Sequence, residues 1–319
     1  MKYVLLRIFA SLCVIAGGYI TKTVNVDTVT QLLWTSIVSL VLFTIILVGF
    51  YYTDKNEFII KNKTLKDLSN DPFKNLFTLP ILKVALSGTI GYIISIIILR
   101  SIPYSLYTIL VPLFIIPSIV FNYFMSNAPI TTNKIISIVI SLVGIFIASF
   151  KSLVKDFKKF KNLSVGLGLL AILLVMYAYQ TSYYKYLLNK GLNYIELISL
   201  DYMLGSIIGI LLSLAYIFIY KPIYKVKTPL QYDMKGLFLL GSSSIFTVLS
   251  NFTRIDAMSH LPEYLIILLG YIKIPISLLI SYFFLKEDIS YYKILGSLLI
   301  IIGISYSDIE ALIVKKTIF

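Results

Sequence analysis

Cysteine, histidine and tryptophan each occur once in 319 residues, and 28 basic residues face only 15 acidic ones. The single cysteine, Cys13, excludes an intrachain disulfide framework and a cysteine-clustered metal site. The single histidine, His260, has no second histidine with which to build a zinc site. No glycine-rich phosphate loop and no nucleophile elbow occur, so the chain offers no enzyme signature, and neither a catalytic residue, a metal nor a cofactor is expected. Polar sequence is scarce too. Charged residues make up 13% of the chain, and the only sizeable polar segments are 53–75, 151–162 and 221–235.

What fills the chain is hydrocarbon. With 58% hydrophobic residues and a mean hydropathy of +0.90, it is far too apolar for a water-soluble globule of ordinary composition. Apolar runs fall at 3–20, 29–52, 79–99, 104–125, 135–150, 163–184, 194–220, 236–252, 261–284 and 294–306. Each approaches the ~20 residues that cross a bilayer, so the sequence predicts an all-α polytopic membrane protein with ten transmembrane helices. The net charge of +13 comes from Lys and Arg between these runs, where they meet lipid headgroups, so the bilayer and not nucleic acid is the expected macromolecular partner. The first run, with Lys2 and Arg7 ahead of it, resembles a signal peptide, but a counterpart later in the chain argues for its retention.

That counterpart belongs to an internal repeat. A shift of 159 residues lays Pro103 on Pro262, Ser118 on Ser277, Tyr123 and Phe124 on Tyr282 and Phe283, Lys134 on Lys293 and Gly144 on Gly303. Toward the start of each half the shift drifts to about 163–165, as short loop insertions produce. The chain therefore divides into five-helix repeats at 1–150 and 163–306 and a short tail, 307–319. An odd number of spans per repeat makes the second enter the membrane from the opposite side, giving the inverted repeat on which many secondary transporters are built. Orientation stays open, because Lys and Arg split 14 to 13 between the two sides, with Lys273 in the interior.

Lys273 is the most conspicuous residue, about 13 positions from both His260 and Lys286 within "LLGYIKIPISLLISYFFLKE". Glu263, Gly270, Ser277 and Ser281 lie within about 80° of it on a helical wheel, a polar stripe suited to an aqueous interior in which the ammonium holds an anion. The plainer alternative is a lysine that snorkels to the headgroups or pairs with a neighbouring helix. Glu196 and Asp201, in "NYIELISLDY", are candidates for ion pairing or proton coupling, with Glu196 also placed to sit in the headgroup layer. Tyr104 and Thr108 share a face of the fourth span, the repeat counterpart of the span carrying Lys273. In "MYAYQTSYYKYL", Tyr177, Thr181 and Tyr184 share a face, either as interfacial belt or as a stacking surface. The glycines of "GSIIG", 205–209, read as a helix-packing contact.

With these motifs in place, the chain resembles the drug/metabolite transporter superfamily. "YTILVPLFIIPSIVFNYF...KIISIVISLVGIFIAS" and "LLGYIKIPISLLISYFFLKEDISYYKILGSLLIIIGI" look like the closing helices of EamA-type repeats, including the Lys286–Glu287 pair before the last helix, where the first half has Asn127 and Ala128. "GYIKIP" is similar to the "GALNKLP" of GDP-mannose transporters and "NYIELISL" to their "FYNNLLSL". The resemblance points to the nucleotide-sugar and triose-phosphate translocator branch. It implies exchange of a small anionic metabolite, a nucleotide sugar or sugar phosphate, by alternating access, with Lys273, Gly270, Tyr194 and Asn251 as substrate contacts, to which the shared helix faces add Ser277, Tyr104 and Thr108. Two alternatives stand beside it. One is a proton-coupled EamA-type exporter of amino acids or other small metabolites using Asp201, Glu196 or Glu263, and the other is a non-transporting scaffold or receptor. The expected location is a plasma membrane in a prokaryote or an endomembrane such as Golgi or ER in a eukaryote, and a homodimer is left open.

Overall fold

The computed structural model describes residues 2–53, 72–126, 132–159, 163–223, 233–260 and 273–317, and among these the chain is helical with no strand. The helices are α1 Lys2–Thr23, α2 Thr28–Thr53, α3 Leu79–Ser101, α4 Tyr104–Leu110, α5 Ile115–Ser126 and α6 Thr132–Lys159. They continue as α7 Leu163–Asn189, α8 Tyr194–Ala215, α9 Met234–His260, α10 Lys273–Phe283 and α11 Tyr291–Thr317. A 3-10 stretch, Val111–Phe114, joins α4 to α5, because the proline at 112 has no N–H for the α ladder.

Among the described residues six helices are long and apolar enough to cross a bilayer: α1, α2, α3, α7, α8 with its continuation to Ile223, and α9 as far as Ala257. The other four expected spans correspond to shorter apolar stretches in α5, α6, α10 and α11. The distribution of polarity is that of a membrane-embedded protein. Gln31, Ser105, Ser199, Ser277 and Ser281 are fully buried, whereas Ile45, Phe146, Leu211, Phe238 and Leu279 are all more than half exposed. Water would reverse that arrangement; lipid favours it.

Local signals explain the element ends near the site. Gly191 at φ 92° closes α7 as a glycine C-cap, with Leu192 N–H on the Leu187 carbonyl at 3.2 Å and Gly191 N–H on Leu188 at 3.0 Å. Leu187 and Leu192 pack in one buried cluster, the apolar contact that accompanies this turn. Asn193 then caps α8, its Oδ1 accepting the Ile195 N–H at 2.8 Å. The register of α8, and with it the depth of Asp201, is fixed by these three residues.

Between helices in lipid no hydrophobic gain is available, so close packing and interhelical hydrogen bonds hold the bundle. α1 runs along α9, α2 along α8, α3 along α7 and α8, and α6 along α11. Ser250 and Ser243 of α9 donate to the carbonyls of Ala10 and Gly17 on α1 at 3.0 and 3.3 Å, and Trp34 Nε1 of α2 donates to the Leu237 carbonyl at 2.7 Å. Each such bond contributes about 0.6 kcal/mol. The GSIIG glycines are packing contacts, as the sequence predicts: Gly205 faces Thr89, whose hydroxyl donates to the Gly205 carbonyl at 3.1 Å, and Gly209 faces Ser36.

Candidate functional site: interior cations beside tyrosines and one carboxylate

Lys273 stands at the head of α10, half-buried, close enough to Arg7 of α1 and Arg254 of α9 to feel both charges. No hydrogen bond or ion pair satisfies its Nζ among the described residues. The Nε of Arg254 is likewise buried with no hydrogen-bond partner among the described residues. Two cations from different helices thus share the interior with no acid paired to either among the described residues. Further along the same α10 face the hydroxyls of Ser277 and Ser281 are buried; Ser281 has no hydrogen-bond partner among the described residues, and Ser277 lies beside the Tyr104 hydroxyl.

Asp201, an acid in electrostatic range of Arg254, is engaged elsewhere. Asp201 on α8 is buried, and its Oδ2 accepts the Tyr184 hydroxyl and, at 3.4 Å, the Gln180 amide, both from α7. Gly88 of α3 makes room for this group, since a β-carbon there would lie 2.7 Å from Gln180 Nε2. Asp201 feels Arg254, yet no ion pair joins them among the described residues. Beside it Tyr202 receives the Asn251 amide at 2.6 Å and stacks on Phe43 with ring centroids 4.5 Å apart. Asn251 makes a second bond, to the Thr247 carbonyl at 2.8 Å, so its amide nitrogen is occupied. Tyr177 lies within reach of Tyr107 and Ser95, placing an additional phenol between α7, α4 and α3. Fixed cations, phenols and an amide around one interior region are suited to holding an anion that carries polar groups or a ring.

The structure brings Lys273, Asp201 and Asn251 into this neighbourhood, linked through Arg254 and Tyr202. Tyr104 is buried beside Ser277 but directs its hydroxyl to the Ile15 carbonyl at 3.2 Å. Thr108 bonds back to the Ser105 carbonyl within its own helix at 3.1 Å. Glu196 is buried and accepts the Asn75 amide at 2.7 Å, about 7.5 Å along α8 from Asp201, so it ties the segment Pro72–Asn75 to α8. Tyr194, the first residue of α8, packs against the apolar cluster around Leu197. Gly270 and Glu263 lie outside the described residues.

Arg254 was not expected from the sequence. Its apolar run reads as ending at 252, which puts the arginine among headgroups, but α9 continues to His260 and carries Arg254 about 9 Å inside that end. A signal was present: "NFTRIDAMSH" holds no proline or glycine that would stop the helix. Compared with known proteins, the chain matches no family model and no curated protein.

Proposed function

We propose that the chain is a secondary transporter that moves a small anionic metabolite by alternating access. The observation that carries this reading is the pair Lys273 and Arg254, two interior cations without a paired acid among the described residues. Leaving such charges unneutralised in a membrane interior is expensive, and residues of this kind line substrate or ion pathways. A ligand that brings its own negative charge supplies the missing counter-ion. The neighbouring tyrosines and Asn251 favour a ligand with a ring or several hydroxyls, as a sugar phosphate or nucleotide sugar has.

Membership of the drug/metabolite transporter superfamily, with ten spans in two inverted repeats, accords with the packing. Equating the repeats exchanges α1 with α7 and α3 with α9, which turns the α1–α9 contact into the α7–α3 contact; both occur. The same exchange turns α2–α9 into α8–α3, and both occur as well. α2–α8 and α6–α11 pair counterpart with counterpart.

The test is counterflow in liposomes loaded with a panel of phosphorylated sugars, nucleotide sugars and amino acids. Exchange confined to anionic compounds is the expected result, and a chain that exchanges nothing while remaining folded would leave the scaffold reading instead. A proton-coupled exporter of amino acids is the second reading, favoured by Asp201, a buried carboxylate held by Tyr184 and Gln180 within range of Arg254. Transport of neutral amino acids driven by a proton gradient would select it.

A further inference from the structure

At one end of the bundle three chain segments are tied by polar contacts around the start of α4. The N-cap of α4 is Pro103, which has no side-chain group to satisfy the first N–H donors of the helix. Glu287, from the turn between α10 and α11, supplies one in trans: Oε1 accepts the Tyr104 N–H at 2.7 Å and Oε2 the Ser105 N–H at 2.9 Å. Both carboxylate oxygens are therefore used in charge-assisted bonds to the positive end of a helix. The turn is built to aim it. Lys286 takes φ 54°, unusual for a residue with a side chain, and the Glu287 N–H returns to the Ser281 carbonyl at 2.9 Å.

Two lysines complete the knot. Lys22, at the end of α1, donates to the carbonyls of Leu99 and Ile102 at the α3–α4 corner and lies in electrostatic range of Glu287. Lys293, only 4% exposed, donates to the Ser105 hydroxyl at 3.1 Å and the Asp288 carbonyl at 3.2 Å. Tyr19 and Phe284 close edge to face at 5.9 Å between α1 and the α10–α11 turn. Lys293 is thus deeply covered at the start of α11, beside the buried Ile102, Tyr104 and Ser105.

We propose that Glu287 is the latch that seals the interior cations from this end, so that the resting protein opens toward the opposite face. The proposal rests on the transporter reading above and adds which face is closed and what closes it. To open this end, α1, the α3–α4 corner and the α10–α11 turn must separate, which breaks both carboxylate bonds together. The two repeats differ at this position: under the 159-residue shift Glu287 falls on Ala128 in the sequence, although Lys293 falls on Lys134 and Pro103 on Pro262. Two closed states that would be equal in a symmetric machine are thereby made unequal, and a two-state protein populates the better-latched one.

The experiment places one reporter cysteine at the half-buried position 273, Lys273→Cys, in the full chain carrying Cys13→Ala, and applies a membrane-impermeant anionic thiol reagent from each face of oriented vesicles. With Glu287 intact the reporter should react from the opposite face and not from the latch face. Glu287→Gln should raise the latch-face rate about tenfold or more, and Glu287→Asp, which keeps the charge with a shorter reach, should fall between. As a check that the variant is opened and not unfolded, the pair Tyr19→Cys and Phe284→Cys should form its crosslink readily with Glu287 and measurably, but more slowly, in the Glu287→Gln chain. A latch face that is reactive already with Glu287, or one that stays closed in Glu287→Gln, overturns the latch while the transporter reading stands. A reporter that reacts from neither face overturns both.

Discussion

Gly144 of α6 and Gly296 of α11 meet backbone to backbone: a β-carbon built on Gly144 would lie 2.8 Å from the Gly296 carbonyl oxygen and 2.8 Å from the Ile300 nitrogen. The contact continues in both directions. Ala148 lies against Gly296, and Ser141 against Gly303, so a seam of small residues runs antiparallel along the two helices. Small residues are what allow transmembrane helices to gain packing energy at this distance.

Enlarging the seam should therefore destabilise the protein. Gly296→Leu has backbone on its far side and no flexible side chain to displace, so a loss of about 1–3 kcal/mol is expected. Gly168 on α7 is the control, because nothing lies within 4 Å of its added β-carbon. Gly168→Ala should be neutral or stabilising by up to about 1 kcal/mol through helix propensity. Thermal unfolding in detergent compares the two, and a Gly296→Leu protein as stable as Gly168→Ala would refute the tight seam.

The bond from the Tyr184 hydroxyl to Asp201 is the main neutral donor to a buried carboxylate. Tyr184→Phe leaves Asp201 with the Gln180 amide at 3.4 Å, and the lost bond should cost about 1–3 kcal/mol. Adding Asp201→Asn removes the charge that needed the donor, so the double variant should recover part of that loss. The double-mutant cycle reads the coupling, and strictly additive effects would mean that the pair does not act as a unit.

The long apolar helices and the singular Lys273 and Asp201 were legible because charge stands out in hydrocarbon, and each is costly enough there to demand a reason. Three things were not legible. Arg254 was hidden by a hydropathy run that stops two residues before it while the helix continues. The partner of Glu196 is Asn75, 121 residues away on a short segment outside the apolar runs, and no local pattern records that pairing. The N-cap of α4 was equally invisible, since Pro103 has no capping side chain and its substitute, Glu287, comes from the other half of the chain.

A ten-span topology puts the sequons at Asn62 and Asn162 on opposite sides of the membrane, since three of its spans lie between them. Both positions are outside the described residues, so the expectation rests on the count of spans. At most one should acquire a glycan when the chain is made in glycosylating microsomes. Two glycans on one molecule, read as a double mobility shift that glycosidase removes, would contradict the ten-span topology.

The cation pair gives the sharpest test of function. If Lys273 and Arg254 hold one anion together, Lys273→Ala and Arg254→Ala should each abolish anion exchange in liposomes and the stabilisation that the same anion gives in a thermal-shift assay. The double variant should be no worse than either single one, because two groups that grip one ligand do not lose its binding twice. Membrane insertion should survive, since removing a positive charge from a span makes insertion easier, by roughly 2.5–3.5 kcal/mol on translocon scales for a residue at the span centre and by less for Arg254 near the end of its span. Lys273→Arg should restore only part of the activity: it keeps the charge, but a planar guanidinium does not fill the position of a compact ammonium. A structural role predicts a different pattern. A lysine that holds helices together would lose folded protein on truncation, and neutralising an acid beside it would bring the protein back. Exchange at the unmodified rate in the folded Lys273→Ala protein would remove this residue from the substrate path and take the anion reading with it.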